Sequence, residues 1–327
     1  MRRNHLFLLN GRTFLASLVV VASLSRLAFT AQGPATREEL VTTETADRLV
    51  LTALLVTPVA RQPNPVAVLW IHGASENFYL RSYVNIARET AARGYAFVSA
   101  NTRMHDIGSV VSYRPDLQNR RGGTYWGIPS RQTTDIAAWV DFLASRNFGQ
   151  VVIVGHSAGG PAVRQYQVDR NDSRVLGVVM ASVSLNAGPP ASDPALVATA
   201  ERMVGDGRGQ QLLQNASGAT GVLVSAATYL DYAQAPPESR DFYGVNASTM
   251  NPLVRRLRVP LLAWFGTRDV GTAGDLIRLK EGIERHGEGP ARVDTRILDD
   301  ADHNYDGQER QVAVVLTGWI DDLRKAR

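Results

Sequence analysis

The residues best equipped for chemistry are Gly155-His156-Ser157-Ala158-Gly159. They follow the apolar run Val151–Val154 and precede a segment with helical patterning, which is the strand–turn–helix setting of a G-x-S-x-G nucleophile elbow. Glycines at both ends remove the Cβ atoms that would clash in so tight a turn, so the serine can stand exposed at its apex. A serine hydroxyl is a weak nucleophile at neutral pH and needs a base, itself oriented by an acid. Functional groups of an open parallel sheet collect after the carboxyl ends of its strands. Two later runs satisfy that condition. Leu261–Phe265 leads into Gly266-Thr267-Arg268-Asp269, and Arg292–Leu298 leads into Asp299-Asp300-Ala301-Asp302-His303. The order Ser157, Asp269, His303 is one of the known chain orders for such a triad. Asp275, Asp299 and Asp300 compete for the acid role. Placement directly after a strand favours Asp269, and no acid follows the strand that ends near Val183.

The elements needed to position these residues are legible. Arg48–Thr57 alternates and is β-rich. Val66–Ile71 is an unbroken apolar run, as expected of a strand buried on both faces. Ser82–Arg93 reads as a helix closed by Gly94 at C′, and Tyr95–Ala100 as the next strand. Residues 101–129 read as a loop. A helix from Ser130 to about Gly149, the strand before the elbow, the helix Ala158–Asp169 and the strand Val175–Val183 follow. After an interruption come a strand at Val259–Phe265, a helix at Thr272–His286, a strand at Arg292–Leu298 and a helix at Gln308–Arg324. This alternation predicts an α/β fold, a doubly wound, mostly parallel sheet with helices on both faces. The interruption, about residues 187–258, shows no clear strand and is too long for a simple connection. It is expected to form a helical cap inserted into a domain spanning 32–327.

Residues 1–31 hold four arginines, no Asp or Glu, and a short apolar stretch from Phe14 to Leu24. They read as an export signal ending near Ala31, with an uncleaved membrane anchor as the alternative because Phe29 is large for a cleavage site. The net charge of +4 resides wholly in this segment, since the rest of the chain balances 31 basic against 31 acidic residues. The pI near 9.5 therefore gives no argument for a nucleic-acid partner. With no cysteine, disulfides, thiol nucleophiles and thiolate metal sites are excluded.

The chain resembles the α/β-hydrolase fold family. The resemblance rests on Val66–Ile71 followed by His72-Gly73, on the elbow, on Phe265-Gly266-Thr267-Arg268-Asp269, and on Asp302-His303. Tyr166 and the loop-rich middle are similar to its siderophore-esterase-like branch. The negative charge of a tetrahedral intermediate needs two N–H donors. Ala158 offers one, at a helix N-terminus; the family resemblance implies the other at Ala74. These features imply hydrolysis of a small-molecule ester through an acyl-enzyme, with no cofactor and no metal. Amide hydrolysis, acyl transfer and a non-catalytic binding role are the alternatives. His72 is expected to shape the loop that follows it, and His156 to pack beside the elbow. Arg103 is expected to brace its loop rather than bind an anion. Arg120, Arg121, Tyr125 and Trp126 are candidates for an entrance or for local packing. Tyr229, Tyr232, Phe242 and Tyr243 are expected to form the core of the insertion rather than to face substrate.

Overall fold

The computed structural model describes residues 36–59, 64–114, 118–183, 193–217, 223–236, 252–269, 271, 273–286 and 288–326. The reading of residues 1–31 as a signal or anchor lies outside them, as do Pro189-Pro190, Phe242 and Tyr243. Along the chain come β1 (Thr36–Glu44), β2 (Leu49–Pro58), β3 (Val66–Ile71), α1 (Arg81–Ala92), β4 (Ala96–Ala100), β5 (Ser109–Tyr113) and β6 (Gln118–Gly122). Then follow α2 (Gln132–Ser145), β7 (Gln150–His156), α3 (Gly159–Arg170), β8 (Val175–Ala181), α4 (Pro194–Gly205), β9 (Leu212–Ser217), β10 (Leu223–Ser225) and α5 (Ala226–Gln234). The series ends with α6 (Pro252–Arg256), β11 (Leu261–Gly266), α7 (Ala273–His286), β12 (Val293–Leu298) and α8 (Glu309–Lys325). Among the described residues no helix is long and apolar enough to cross a membrane.

The main sheet runs β12-β11-β8-β7-β3-β4-β2-β5-β6, with β1 also paired to β2. The six strands from β12 to β4 are mutually parallel. β2 is antiparallel to β4 and to β1. Residues of β3, β8 and β11 are buried throughout, which is why these strands are apolar without alternation. Successive side chains go to opposite faces. Leu69, Ile71, Ile153 and Phe265 pack with Trp139 of α2, Val163 of α3 and Leu279 of α7. Val68, Trp70, Val154 and Trp264 pack on the other side with Ile86 of α1 and Leu316 and Trp319 of α8. Each fully buried side chain of this kind contributes about 1.5–3 kcal/mol through loss of apolar surface.

The winding creates the crevice that matters. From β3 the chain passes through α1 on one face to β4, then through α2 on the opposite face to β7, on the other flank of β3. The segments leaving β3 and β7 diverge to opposite faces, so the carboxyl ends of these neighbours flank a switch point where ligands bind in open α/β sheets.

Several polar strands depart from the sequence expectation. Residues 101–129 contain the antiparallel hairpin β5–β6, with β5 paired to β2. The insertion is not purely helical: β9 and β10 form an antiparallel ribbon. Its described part has its own core of Ala200, Met203, Leu213, Val224, Ala226 and Tyr229. Tyr229 also accepts a hydrogen bond from the Asp193 N–H (3.1 Å), which bears out its role as insertion core. This part docks on the 123–130 segment. The Ser225 N–H donates to Tyr125 O (2.7 Å), Trp126 Nε1 to Gln210 O (3.0 Å), and Ser130 Oγ to Asp231 Oδ1 (2.6 Å).

The segment after β4 is held by Arg103. Its side chain is 4% exposed and lies between Asp135 and Asp47. Nη2 meets Asp135 Oδ1 at 2.6 Å, Nη1 meets Asp47 Oδ2 at 2.9 Å, and the Arg103 N–H donates to Asp135 Oδ2 at 2.8 Å. Burial pushes the Asp135 carboxyl up, against the pull of the guanidinium. Arg103 therefore braces its loop. Arg103→Met leaves Asp135 buried without its cation, and should lower stability by about 3–5 kcal/mol, read from the urea midpoint at constant m-value.

Candidate active site

The elbow is strained in the expected way. Ser157 has φ +49°, a left-handed conformation that a non-glycine residue adopts only under constraint. Its N–H donates to Ala181 O at the end of β8 (2.9 Å), and its carbonyl accepts from the Gly160 N–H (3.0 Å). The flanking glycines are obligatory on contact grounds. A Cβ on Gly155 would lie 2.5 Å from Gly159 O, and one on Gly159 would lie 2.6 Å from His72 O. The second contact shows how closely the elbow presses on the loop after β3.

That loop carries Ala74. The Thr102 N–H donates to His72 Nε2 (3.1 Å), so Nδ1 bears the ring hydrogen and donates to Gly73 O (2.7 Å). Burial lowers the His72 pKa to about 4, so the ring is neutral at pH 7. His72 thus shapes the loop, and both ring nitrogens are engaged. The Ser75 N–H donates to Thr124 Oγ1 (3.2 Å), and the Phe78 N–H to Asn101 Oδ1 (2.8 Å). Among the described residues, neither the Ala74 N–H nor the Ala158 N–H donates to an internal acceptor.

The two remaining candidates meet. Asp269 leaves β11 in a tight turn (Asp269 N–H to Gly266 O, 3.2 Å), and its side chain is fully buried. Its Oδ1 lies 2.7 Å from His303 Nδ1. A carboxylate only accepts, so Nδ1 donates and Nε2 is left as the basic nitrogen. The hydrogen bond to Asp269 raises the His303 pKa, against an opposing effect of burial; the charges of Asp269, Glu76 and Asp302 add to the rise. The imidazole remains 35% exposed, so it is reachable. The turns bearing the two residues are stitched together. The Arg268 N–H donates to Ala301 O (3.0 Å) and the Asp300 N–H to Thr267 Oγ1 (2.8 Å). A Cβ on Gly266 would lie 2.0 Å from Ala301 O. Two of the rival acids, Asp300 and Asp275, are otherwise occupied, as is Asp302 beside the base. Asp300 pairs with Arg268 at the surface, Asp275 with Arg278, and Asp302 Oδ1 accepts from the Asn304 and Asp306 N–H groups.

His303 sits beside the elbow. His156 Nε2 lies 2.8 Å from His303 O, and the two rings are 4.9 Å apart. Two residues later, Tyr305 is fully buried. Its hydroxyl accepts from Trp264 Nε1 (3.0 Å) and donates to Ser182 Oγ (2.7 Å).

The elbow bearing Ser157 thus presses on the loop bearing Ala74, and the loop that carries His303, paired with Asp269, lies against His156, the residue before Ser157. A family model described as the Alpha/beta hydrolase family matches residues 67–315. The chain belongs to the alpha/beta hydrolase family. No curated protein sequence matches it significantly. Among solved structures it is similar to Est1E from Butyrivibrio proteoclasticus with ferulic acid bound: 15% identity, TM-score 0.57, covering 87% of this chain and 100% of that one. It is also similar to the esterase domain of a Rhodothermus marinus protein (19% identity, TM-score 0.53, 86% and 97% covered). A thermophilic esterase from Thermogutta terrifontis with malate bound is a third (14% identity, TM-score 0.54, 87% and 99% covered). At these identities the likeness is one of fold. The hydrolase fold of this chain is thus continuous across nearly the full length of each of these proteins.

The other residues flagged in the sequence fall outside this constellation. Arg120 stacks over Tyr113 and Arg121 over Trp126, with centroid distances of 4.6 and 5.1 Å. Tyr166 is buried on α3 and donates to Asp172 (2.6 Å). Glu76 and Tyr83 went unnoticed in the sequence. Glu76 Oε2 accepts from the Gly73 N–H (2.8 Å) and lies 3.1 Å from His156 Nδ1, while the Tyr83 hydroxyl touches both Glu76 and that nitrogen. The available signal was a glutamate three residues after the His72-Gly73 pair.

Proposed function

We propose that this hydrolase cleaves a carboxylic ester through an acyl-enzyme. The observation that carries the reading is the 2.7 Å Asp269–His303 contact beside a serine held at positive φ at the end of β7. Ser157 Oγ attacks the ester carbonyl as His303 Nε2 takes its proton. The carbonyl electron pair moves onto oxygen, where the N–H groups of Ala74 and Ala158 hold it; losing one such donor costs about 3 kcal/mol of barrier. Collapse expels the alcohol with the proton from His303 and leaves acyl-Ser157. Water, deprotonated by the same nitrogen, then releases the acid. Asp269 holds the tautomer and stabilises the imidazolium. The esterases named above lend support by fold. We read residues 187–258 as the cap that selects a small-molecule ester, and residues 1–31 as the element that exports or anchors the protein.

The test is to trap the intermediate. Acid quenching of a reaction with an activated acyl ester should leave one acyl group on the peptide containing Ser157. Acylation elsewhere, or none during steady turnover, overturns the mechanism. Product analysis with added alcohol or amine separates hydrolysis from acyl transfer.

A further inference from the structure

Beside the Asp269–His303 pair lies a second carboxylate–histidine pair, its histidine sealed from solvent and its carboxylate, Glu76, only 17% exposed. His156 is fully buried, packed against Trp70, Tyr83 and Tyr305. Its Nε2 faces the backbone carbonyl of His303 at 2.8 Å. A carbonyl only accepts, so that nitrogen must carry a hydrogen. Its Nδ1 faces Glu76 and the Tyr83 hydroxyl, at 3.1 and 2.6 Å. Tyr83 has one hydrogen to share between them, and whichever takes it, the Nε2 hydrogen stays in place. Burial opposes ionisation of Glu76, yet the His156 ring, the Tyr83 hydroxyl and the Gly73 N–H together hold its pKa down at about 2. The same Glu76 oxygen takes the Gly73 N–H, one residue before Ala74. One carboxylate thus joins the loop after β3 to the elbow, and through His156 to the loop bearing His303. These three chain segments come from distant parts of the sequence, and the Tyr83 hydroxyl, which also accepts from the Gly73 N–H (3.3 Å), reinforces the same link.

We propose that Glu76 and His156 form a positioning dyad that sets the heights of the His303 imidazole and the Ala74 N–H relative to Ser157. The inference rests on the serine mechanism above and deepens it. His156 touches no substrate; it acts through the main chain of the base. A displacement of about 1 Å at a reacting group can cost on the order of a hundredfold in rate, and a hydrogen bond to a loop carbonyl is a means of preventing such a displacement.

The test compares His156→Leu, His156→Gln, Glu76→Gln and Ser157→Ala with the wild-type chain. Gln can place its amide nitrogen near the position of Nε2 and keep the bond to His303 O. Expected for His156→Leu is a loss of kcat on the order of a hundredfold with KM little changed, and an equal loss in the rate of fluorophosphonate labelling. His156→Gln should recover about tenfold of that loss. The charged groups acting on His303 are Asp269, Glu76 and Asp302. Because Glu76 helps to raise the His303 pKa, Glu76→Gln should lower kcat and move the acidic limb of the kcat/KM profile to lower pH. Wild-type kcat and labelling in His156→Leu, with Ser157→Ala inactive, overturns the dyad and spares the serine mechanism. Equal losses in the Leu and Gln variants also overturn it. Turnover by Ser157→Ala sinks the mechanism itself. If His156→Leu fails to fold by circular dichroism, Glu76→Gln decides, and an unchanged kcat and acidic limb in that variant rejects the proposal.

Discussion

Ser157→Ala should abolish ester turnover and fluorophosphonate labelling while leaving the fold intact. The size of the loss follows from the way triad members act as a unit. Removing the nucleophile costs about a millionfold in kcat in serine hydrolases of this logic, and the residue left over water comes from binding and oxyanion donors. In the proposed mechanism those donors, Ala74 and Ala158, are main-chain groups that the substitution does not touch. Alanine keeps the Cβ and hence the strain of φ +49°, so Ser157→Ala should unfold at the wild-type urea concentration. Ser157→Gly should be equally inactive but more stable, by up to about 1 kcal/mol, because glycine adopts that conformation without a Cβ clash. A stable, inactive glycine variant would identify the strain as part of the site's construction. Full labelling of Ser157→Ala would move the nucleophile elsewhere.

The sheet centre and the chemistry at its edge were legible in the sequence for one reason. β3, β7, β8 and β11 are buried almost throughout, so their composition alone marks them, and Ala74, Ser157 and Asp269 follow such strands closely, while His303 follows the partly exposed edge strand β12. The helix stop at Gly94 was equally readable: the structure gives it φ +98°, where glycine is favoured. Strands without an apolar pattern were not readable. β1 has a single buried residue, Val41, among Thr, Arg and Glu. β6 reads Gln-Asn-Arg-Arg-Gly, and β9 includes Gln214-Asn215. Their pairing is supplied by neighbouring backbone rather than by apolar pattern. Glu76 escaped notice for a related reason. In Ser75-Glu76-Asn77 it has the look of a solvated turn, and only folding brings Tyr83 from α1 and His156 from β7 to its carboxylate. His156 was expected to pack beside the elbow, and it does so. Its hydrogen bond to the base loop depends on where that loop lies, which is a tertiary fact.

Asp269→Asn is expected to reduce kcat by roughly ten-thousandfold without disturbing the substitution's neighbours. The carboxylate accepts from His303 Nδ1 at 2.7 Å, which places the lone pair on Nε2. An asparagine that turns its amide nitrogen toward Nδ1 donates instead, and so favours the tautomer with hydrogen on Nε2. That nitrogen then cannot take the Ser157 proton. The pH profile adds an independent check whose sign is fixed by the same contact. In the wild-type chain the base form of His303 is lost as pH falls through a value raised above the ordinary histidine range, and the leading cause of the rise is Asp269. Removing the charge lowers that value, so the acidic limb of the residual activity should move to lower pH even as its height collapses. A rate near wild type would transfer the acid role to Asp299, Asp300 or Asp302. The geometry argues against the last two: Asp300 faces Arg268, and one Asp302 oxygen already caps two N–H groups of its own loop. A large loss of rate with an unmoved limb would mean that Asp269 supports the loop after β11 without governing the imidazole, and the assignment of Asp269 as the triad acid would fall.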